Sequence, residues 1–403
     1  MHPILPVRAT RGANQESASA HNRRVIIDAL RMNGPLSRAE LARATSLTKQ
    51  AVSNIVDELV RDGLLKPLPS VRHGRGQPFT PYRLVPEGAY AFGLQIDRFL
   101  VRAVVVDFLG EPVLTDEARI NESDPDEGVA IIARLISDLR GKLASGDPAR
   151  ERRIVGLGVA MPGPFGVPPA TDNIWAMAPW QAYPVKEMLA ARTGLDVEIQ
   201  NDAVACAIAE RMVGAARRVE NAICIFLGYG IAAGLIVNGD LYRGANGNAG
   251  ELGMALSPRA GDETTTLEHR ASLASLYQAL GLDPAEAGLR AHVDALVARG
   301  DPRTRAWIVD AAAELRRSVQ ILEMLFDPET IILCGGAPEL LARALADAMQ
   351  PLLPSVSSHA ARTLPRLQLG MTDPWAVARG AAASPISRAF DPRYSAMLKA
   401  DTR

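Results

Sequence analysis

Short apolar runs alternate with amphipathic stretches along most of this chain, and that alternation restricts its fold more than any other feature. The runs predict buried strands at 91–96, 101–107, 154–161, 197–200, 222–227, 232–238 and 330–334. The stretches between them predict helices at 127–143, 184–193, 203–213 and 304–326. Asp126 is the expected cap of the first of these helices. Strands that alternate with helices are typical of an α/β domain whose sheets are covered by helices.

The first 85 residues lack this alternation and predict a compact group of three helices. Those helices are expected at 21–32, 38–45 and 49–62. Gly34 lies in the turn that ends the first helix. Ser37 and Glu40 have the spacing of a capping box at the start of the second, and Thr48 can cap the third. The spacing and the tight second turn are typical of a helix-turn-helix.

The outer face of the third helix and the segment after it carry side chains suited to DNA. Residues 71–78 read VRHGRGQP and lie between two predicted strands, 63–66 and 79–84, which would make a wing. Polar groups early in a recognition helix reach base edges, and wing arginines enter a minor groove or hold phosphates. The alternative is a merely solvated helix face. The predicted DNA-binding residues are Ser37, Thr48, Lys49, Gln50, Ser53, Asn54, Arg72, Arg75 and Gln77.

Charge is divided unevenly between this head and the rest of the chain. Residues 1–85 contain 13 Lys and Arg against 6 Asp and Glu, whereas the remainder contains 31 against 39. The net charge of −1 hides this difference. A basic head on an acidic body favours an anionic partner for the head alone, and double-stranded DNA is the expected one.

Five segments of the body resemble the ROK family, which is named for repressors, open reading frames and kinases. They lie in family order at 156–164, 200–203, 227–234, 243–253 and 327–336. The resemblance runs from residue 84 to about residue 383. It implies a duplicated ribonuclease H-like fold of the actin and hexokinase type, as in sugar kinases. It is strongest to the repressor branch, which includes xylose and N-acetylglucosamine repressors and carries an N-terminal winged helix-turn-helix.

Two loops depart from the family pattern where its kinases hold nucleotide phosphates. The family's first loop is Asp followed by Ile-Gly-Gly-Thr, but residues 95–99 here read Gln-Ile-Asp-Arg-Phe. The second, Gly-Thr-Gly in the family, is Gly228-Tyr229-Gly230. Bulk and negative charge at such positions oppose a bound triphosphate. The chain is therefore predicted to be no enzyme, with no catalytic residue and no cofactor. The alternative is an active ATP-dependent sugar kinase with an appended DNA-binding domain.

The resemblance also implies where a ligand binds. Asp202 matches the family's catalytic base, and with Asn201 it suits hydrogen bonding to adjacent sugar hydroxyls. Its alternative role is a helix N-cap. Glu251 matches another sugar-contacting residue, with a surface carboxylate as the alternative, and Glu268 lies in a segment that resembles the one after the family's zinc cluster. The predicted ligand-binding residues are Asn201, Asp202, Glu251 and Glu268.

No metal site is predicted. The family's Glu-x-Gly-His continues here with Met254, and 257–266 contains no cysteine. His269 is expected to be an ordinary surface histidine. The cysteines at 206, 224 and 334 lie in apolar runs and are expected to be buried reduced thiols. Because the zinc loop and the motif histidine are missing, a DNA binder that has no ligand stays a third alternative.

The predicted organisation has four parts. They are a flexible arm at 1–20, a winged helix-turn-helix domain at 21–85, a ROK sugar-kinase-like effector-binding domain at 86–385 and a C-terminal tail at 386–403. No apolar run reaches the length of a membrane span, and no signal peptide is recognised, so a cytoplasmic protein is expected. The expected partners are a DNA operator, a small sugar or polyol effector and further copies of the chain in a homodimer or homotetramer, with no membrane partner.

Overall fold

The structure is a computed structural model that describes residues 15–72, 78–163, 177–257, 264–359 and 361–390. The chain divides into two compact units. The first, called the head below, contains residues up to Ala89 together with those from Ile386 onward. The second, called the body, is Tyr90–Pro385. Within the described ranges, no helix is long and apolar enough to cross a membrane.

The head contains three helices and a small three-stranded sheet. Its elements are α1 (Gln15–Asn33), β1 (Leu36–Ser37), α2 (Arg38–Thr45), α3 (Lys49–Arg61), β2 (Leu65–Pro67) and β3 (Pro81–Leu84). Both neighbours of β3 pair with it in the antiparallel sense. The predicted winged helix-turn-helix is therefore confirmed, with helix ends within one residue of the predicted ones for α2 and α3. The start of α1 is six residues earlier than predicted, so the predicted arm is helical from Gln15, and residues 1–14 lie outside the described part.

Local sequence explains why these helices begin where they do. Ser37 accepts a hydrogen bond from the Glu40 backbone N–H, and the Glu40 carboxylate accepts from the Ser37 backbone N–H, which is a complete capping box. Thr48 accepts from the Ala51 N–H at the start of α3. The inner face of α3 is buried by apolar side chains one helical turn apart, namely Val52, Ile55, Val56 and Leu59.

The first sheet of the body has strand order β6-β5-β4-β7-β8. Its strands are β4 (Tyr90–Ile96), β5 (Leu100–Asp107), β6 (Pro112–Arg119), β7 (Ile154–Met161) and β8 (Val197–Asn201). Strands β4, β5 and β6 form an antiparallel meander, and β7 and β8 are added in parallel. The accompanying helices are α4 (Pro125–Ala144), α5 (Ala178–Ala182), α6 (Val185–Thr193) and α7 (Asp202–Met212).

The second sheet repeats this arrangement with order β11-β10-β9-β12-β13. Its strands are β9 (Ala222–Leu227), β10 (Ile231–Val237), β11 (Asp240–Tyr242), β12 (Thr330–Cys334) and β13 (Leu367–Leu369). Three antiparallel strands are again followed by two parallel ones. The remaining helices are α8 (Leu267–Ala271), α9 (Leu273–Leu280), α10 (Leu289–Ala298), α11 (Pro302–Phe326), α12 (Glu339–Ala348) and α13 (Ala376–Phe390). The repeat of one topology confirms the predicted duplicated fold.

Helix α13 packs so closely on the first sheet that side chains are excluded at the contact. A Cβ atom on Gly158 of β7 would lie 1.8 Å from the Ala381 carbonyl oxygen, and one on Gly93 of β4 would lie 1.9 Å from that of Ala378. Only glycine fits such an approach between a strand and a helix backbone. The apolar runs that predicted β4 and β7 thus form strands that pack directly against α13.

One expected helix cap is wrong, and the segment from residue 386 is helical at its start. The cap of α4 is Asp124, which accepts from the Glu127 N–H, and not Asp126, which lies inside the first turn. The predicted tail from 386 begins inside α13, whose residue Ala389 accepts a hydrogen bond from Arg24 of α1 at 3.2 Å. Residues 391–403 of that tail lie outside the described part.

Candidate functional site

The cap and the outer face of α3 present four of the predicted DNA-binding side chains to solvent. Thr48, Lys49, Gln50 and Asn54 are exposed. Gln50 donates a hydrogen bond to the Asn54 side-chain oxygen at 3.0 Å, so the two amides, one turn apart, are held side by side. Exposed amides in this position have the donors and acceptors that recognise base edges.

Two other predicted residues of the head are already engaged within the protein. Ser37 is only 5% exposed, and its side chain is the cap of α2. It is therefore not available at the surface, although it was predicted to contact DNA. The Ser53 hydroxyl accepts a hydrogen bond from Arg38. Arg38 also pairs with Asp57, and its guanidinium lies 5.3 Å from the centre of the Tyr82 ring. Arg38 therefore ties α2, α3 and β3 together, a role that the sequence pattern does not reveal.

The wing is described only at its base. Val71 and Phe79 pair across it, and Arg72 is exposed beside this pair. Arg75 and Gln77, which were predicted to contact DNA, lie outside the described residues.

In the body, all four predicted ligand-binding residues line one cavity of about 690 Å³. Asn201 and Asp202 stand where β8 passes into α7, Glu251 precedes a short 3-10 turn, and Glu268 lies on α8. A Cβ atom at Gly163 would lie 2.8 Å from the Asn201 side-chain nitrogen and 3.4 Å from a Glu251 carboxylate oxygen. The bare backbone at Gly163 therefore leaves room for both side chains in the cavity.

Asp202 is a buried carboxyl group with an unsatisfied oxygen atom in the described part of the chain. Asn201, not Asp202, is the cap of α7, because its side-chain oxygen accepts the Ala203 N–H at 2.8 Å. The alternative role of Asp202 as a cap is therefore excluded. Asp202 is 7% exposed, and its Oδ1 is buried with no hydrogen-bond partner in the described ranges. Burial, together with the negative charge of Asp97, raises the pKa of Asp202 well above its usual value.

The two glutamates are also shifted toward their neutral forms. Burial raises the pKa of Glu268 to about 7, although its Oε1 accepts the Ile231 N–H at 2.9 Å. Burial also raises the pKa of Glu251. Neutral carboxyl groups donate as well as accept hydrogen bonds, and sugar hydroxyls do the same. The arrangement is chemically suited to a polyhydroxylated ligand.

The two loops that depart from the kinase pattern meet in this cavity. The Arg98 guanidinium lies 4.6 Å from the centre of the Tyr229 ring, and Arg98 forms an ion pair with Glu122 at 2.7 Å. The Arg98 side chain is only 9% exposed. Asp97 accepts the Arg98 backbone N–H at 2.8 Å. A cation–π contact between large side chains thus occupies the place where the two loops come together.

Two departures from the family motif can also be located. Met254 lines the cavity with half of its surface exposed. His269 is exposed, and its Nδ1 contacts the Thr266 hydroxyl at 2.8 Å, as expected of a surface histidine. Among the described residues, no group of three or more His, Cys, Asp or Glu side chains is placed to hold a metal ion. Cys206, Cys224 and Cys334 are buried free thiols, as predicted.

Each of the two units matches the model of a known protein family. The ROK family model matches residues 103–383, which is more than half of the chain. A MarR family model matches residues 25–76 in the head. The two matches cover the body and the winged helix-turn-helix respectively.

Similar proteins include both repressors and kinases. A putative xylose repressor of Caldicellulosiruptor sp. (strain Rt8B.4) is 28% identical over 58% of this chain and 57% of its own length. The xylose repressor of Bacillus subtilis (strain 168) is 26% identical over 60% of this chain and 62% of its own length. The beta-glucoside kinase of Listeria monocytogenes is 30% identical over 56% of this chain and 76% of its own. The matched region spans less than two thirds of each of the two xylose repressors.

Solved structures confirm the fold. A ROK family transcriptional regulator, described as a homologue of the E. coli MLC protein, superposes with a TM-score of 0.68 at 22% identity. The superposition covers 94% of this chain and 98% of that one. A ROK family glucokinase from Streptomyces griseus, solved with glucose and AMPPNP, gives a TM-score of 0.57 at 24% identity over 73% of this chain and 98% of its own. Only the first of these two likenesses extends over nearly the whole chain.

Proposed function

Because this chain belongs to the ROK family, we propose that it is a sequence-specific DNA-binding transcriptional repressor controlled by a sugar or polyol effector. The effector binds in the kinase-like body, which carries out no phosphoryl transfer. The observation that carries the proposal is the stack of Arg98 on Tyr229 beside a cavity that keeps Asn201, Asp202 and Glu251. Large side chains fill the meeting point of the two phosphate loops, while the groups suited to hydroxyls stay in place.

In the head, α3 is the recognition helix. Gln50 and Asn54 contact base edges in the major groove, and Lys49 contacts phosphate. Arg72 at the base of the wing, with Arg75 and Gln77, adds contacts to the backbone or the minor groove. The MarR family match and the exposed polar face of α3 support this assignment.

In the body, Asp202 binds a ligand hydroxyl and does not act as a catalytic base. Removal of a proton from a sugar leads to transfer only when a phosphoryl group is held in line with the hydroxyl. Glu251 and Glu268 complete the polar lining, and effector binding changes operator affinity by a coupling free energy of about 1–3 kcal/mol. Repression, release by the effector and action in the cytoplasm are part of this proposal.

Two copies of the chain would supply two heads for a roughly palindromic operator. The end of α11 carries apolar side chains that are unusually exposed for a monomer, including Ile321, Met324 and Leu325 at 50–70%. Residues 321 and 325 lie one turn apart on the helix, so they share a face. We therefore propose this face as part of the contact in a homodimer or homotetramer.

Selection of bound duplexes from a random DNA pool tests the proposal directly. The full chain is expected to enrich one operator motif with related half-sites, and a sugar or inositol from a panel is expected to reduce its retention. Asp202→Ala is expected to keep operator binding and lose the response. Failure to retain any duplex at modest salt contradicts the DNA-binding assignment.

The similarity to beta-glucoside kinases over 76% of their length favours an active sugar kinase as the second candidate. ATP distinguishes the two, since a kinase is stabilised by its nucleotide and transfers phosphate to sugar. We expect no rise in the melting temperature with ATP and magnesium. Measurable transfer of phosphate to a carbohydrate contradicts the proposed role of the Arg98–Tyr229 stack. A response to no sugar at all, with operator binding intact, supports the ligand-free DNA binder instead.

A further inference from the structure

Arginine side chains line the same cavity as the carboxyl groups, and the proposed function does not yet use three of them. Arg102 lies on β5, Arg119 on β6 and Arg290 at the start of α10. A cavity of about 690 Å³ falls in the range that encloses drug-sized ligands, so it has room for more than one sugar ring. These arginines are therefore candidates for a second part of the ligand.

The strand register places two of them on one face of the first sheet. Arg102 is opposite Glu117, and Leu100 is opposite Arg119, in the antiparallel pair of β5 and β6. Alternate residues of a strand point to the same face, so Arg102, Glu117 and Arg119 share it. Arg119 donates to the Ala285 carbonyl in the segment that leads to α10. This hydrogen bond joins the edge of the first sheet to the segment that leads to Arg290.

Arg290 is held in place by two backbone carbonyl groups. It donates to the Gly336 carbonyl and to the Thr372 carbonyl, the latter at 2.7 Å. In the described part of the chain, no carboxylate lies within 4.0 Å of its guanidinium. Burial, and next the positive charge of Arg102, lower the pKa of Arg290, and the carboxylates of Asp294 and Asp373 oppose this shift only in part. The guanidinium is oriented in advance and has no ionic partner, as expected of a group that receives an anion from a ligand.

Arg102 is only weakly compensated. Its Nε lies 3.4 Å from a Glu117 carboxylate oxygen, and Glu117 is 52% exposed, so the pair is screened by solvent. The same Nε is buried and makes no hydrogen bond within the described ranges. Asp97 also lines the cavity, but its Oδ1 is engaged by the Arg98 backbone N–H. Arg102 therefore keeps a buried N–H donor without a hydrogen-bond partner among the described residues, in the same cavity as a guanidinium that is held by carbonyl groups.

We propose that Arg102 and Arg290 bind an anionic substituent of the effector, which is a sugar or polyol carrying a phosphate or a carboxylate group rather than a neutral sugar. This inference rests on the proposed function. The hydroxyls of the ligand are bound at Asn201, Asp202 and Glu251, and its acidic group is bound by the two guanidiniums. Planar guanidinium groups match the geometry of phosphate and carboxylate oxygens through paired N–H donors.

Calorimetric titration of the full chain with matched ligands tests the inference. The probes are xylose, glucose, N-acetylglucosamine and myo-inositol, each beside its phosphate monoester, together with glucuronate. The best anionic probe is expected to bind at least about tenfold more tightly than its neutral parent. Glucose 6-phosphate against glucuronate separates phosphate from carboxylate as the preferred group, and competition by inorganic phosphate is expected for the former.

Variants assign the effect to the arginines. Arg102→Gln is expected to remove at least about tenfold of the affinity for the anionic probe and to leave that for the neutral parent unchanged. Arg290→Lys keeps the positive charge but removes the paired N–H donors of the guanidinium, so a partial loss of affinity for the anionic probe is expected. The matched control is Arg343→Gln, which removes an exposed arginine on α12. An advantage of the anionic probe that survives in Arg102→Gln overturns the assignment.

The outcomes separate this inference from the function on which it rests. If a neutral sugar binds, releases the operator and is preferred over its anionic derivatives, the inference is wrong and the proposed function stands. If no probe of either kind binds while operator binding is intact, the effector part of the proposed function fails and this inference fails with it.

Discussion

Replacing Glu268 with glutamine is expected to stabilise the body at alkaline pH and to leave its stability unchanged in acid. Glu268 accepts a hydrogen bond from the Ile231 backbone N–H at 2.9 Å in the cavity. Burial is the main cause that raises the pKa of Glu268 from 4.5 to about 7, and the charge of Glu251 adds to it. Glutamine keeps an acceptor oxygen for Ile231 and removes the ionisable group.

The magnitude follows from the difference between the folded and the unfolded chain. The unfolded carboxyl loses its proton near pH 4.5, whereas the folded one keeps it until about pH 7. Between these values the unfolded state binds fewer protons, so the free energy of unfolding falls as the pH rises. A tenfold change in proton affinity is worth about 1.4 kcal/mol, and the full rise therefore corresponds to roughly 3 kcal/mol. Because Glu268 keeps some contact with solvent, we expect about 2 kcal/mol.

Intrinsic fluorescence measures the body selectively, because all four tryptophans lie between residues 175 and 375. Urea unfolding between about pH 5 and about pH 9 is expected to show Glu268→Gln gaining stability over the wild type as the pH rises to about 7, with a constant difference at higher pH. Glu210, whose pKa burial also raises to about 7, is present in both proteins, so its contribution cancels. Glu339→Gln, at an exposed position on α12, is the control. Parallel curves for the variant and the wild type over the whole range would refute the reasoning.

Three further outcomes are expected from single substitutions. Gln50→Ala and Asn54→Ala should each reduce the discrimination between bases by about 1–3 kcal/mol at one base pair. Arg72→Ala should instead weaken binding to all duplexes alike. Equal losses of affinity for operator and random DNA in all three variants would contradict these roles. Thr48→Ala removes the cap of α3 and should lower the local stability of that helix by about 1 kcal/mol, measured by amide hydrogen exchange, with unchanged protection as the contrary result. Leu325→Glu should lower the sedimentation coefficient of an oligomer without altering the circular dichroism, and an unchanged coefficient would exclude this face from the contact.

The buried strands could be predicted because they carry continuous apolar runs. The predictions at 154–161, 222–227 and 330–334 match β7, β9 and β12 residue for residue. Of the four edge strands in the two described sheets of the body, β8 was predicted, but β6, β11 and β13 were not, since a strand with one neighbour can keep polar side chains on its open face. In β6 exposed and half-buried positions alternate, so the strand has no continuous apolar run by which it could be recognised. The position of Asp124 before Pro125 was the available signal for the true cap of α4.

The polar half of the cavity could be named from local motifs, whereas its charged half could not. Asn201 and Asp202 are adjacent in sequence at a strand-to-helix junction, so their partnership is visible in one segment. The contact of Arg98 with Tyr229 joins two different sheets of the body, and that of Arg119 with Ala285 joins a strand edge to a distant loop. Such pairings depend on how the two repeats of the fold come together, and no local periodicity encodes them.

The energetic cost of the cavity argues for a ligand more strongly than its shape does. Asp202 is almost fully buried, and its Oδ1 has no partner in the part of the chain that the structure describes, a deficiency worth about 1–3 kcal/mol for a single polar group. Arg290 adds a half-buried cation whose hydrogen bonds, among the described residues, go to carbonyl groups. A domain that served only to join two heads would be more stable with apolar side chains at both positions. Within the described part of the body, the cavity contains a carboxyl oxygen without a hydrogen-bond donor and a guanidinium without an anionic partner. One molecule satisfies both if it brings hydroxyl groups to Asp202 and an anion to Arg290.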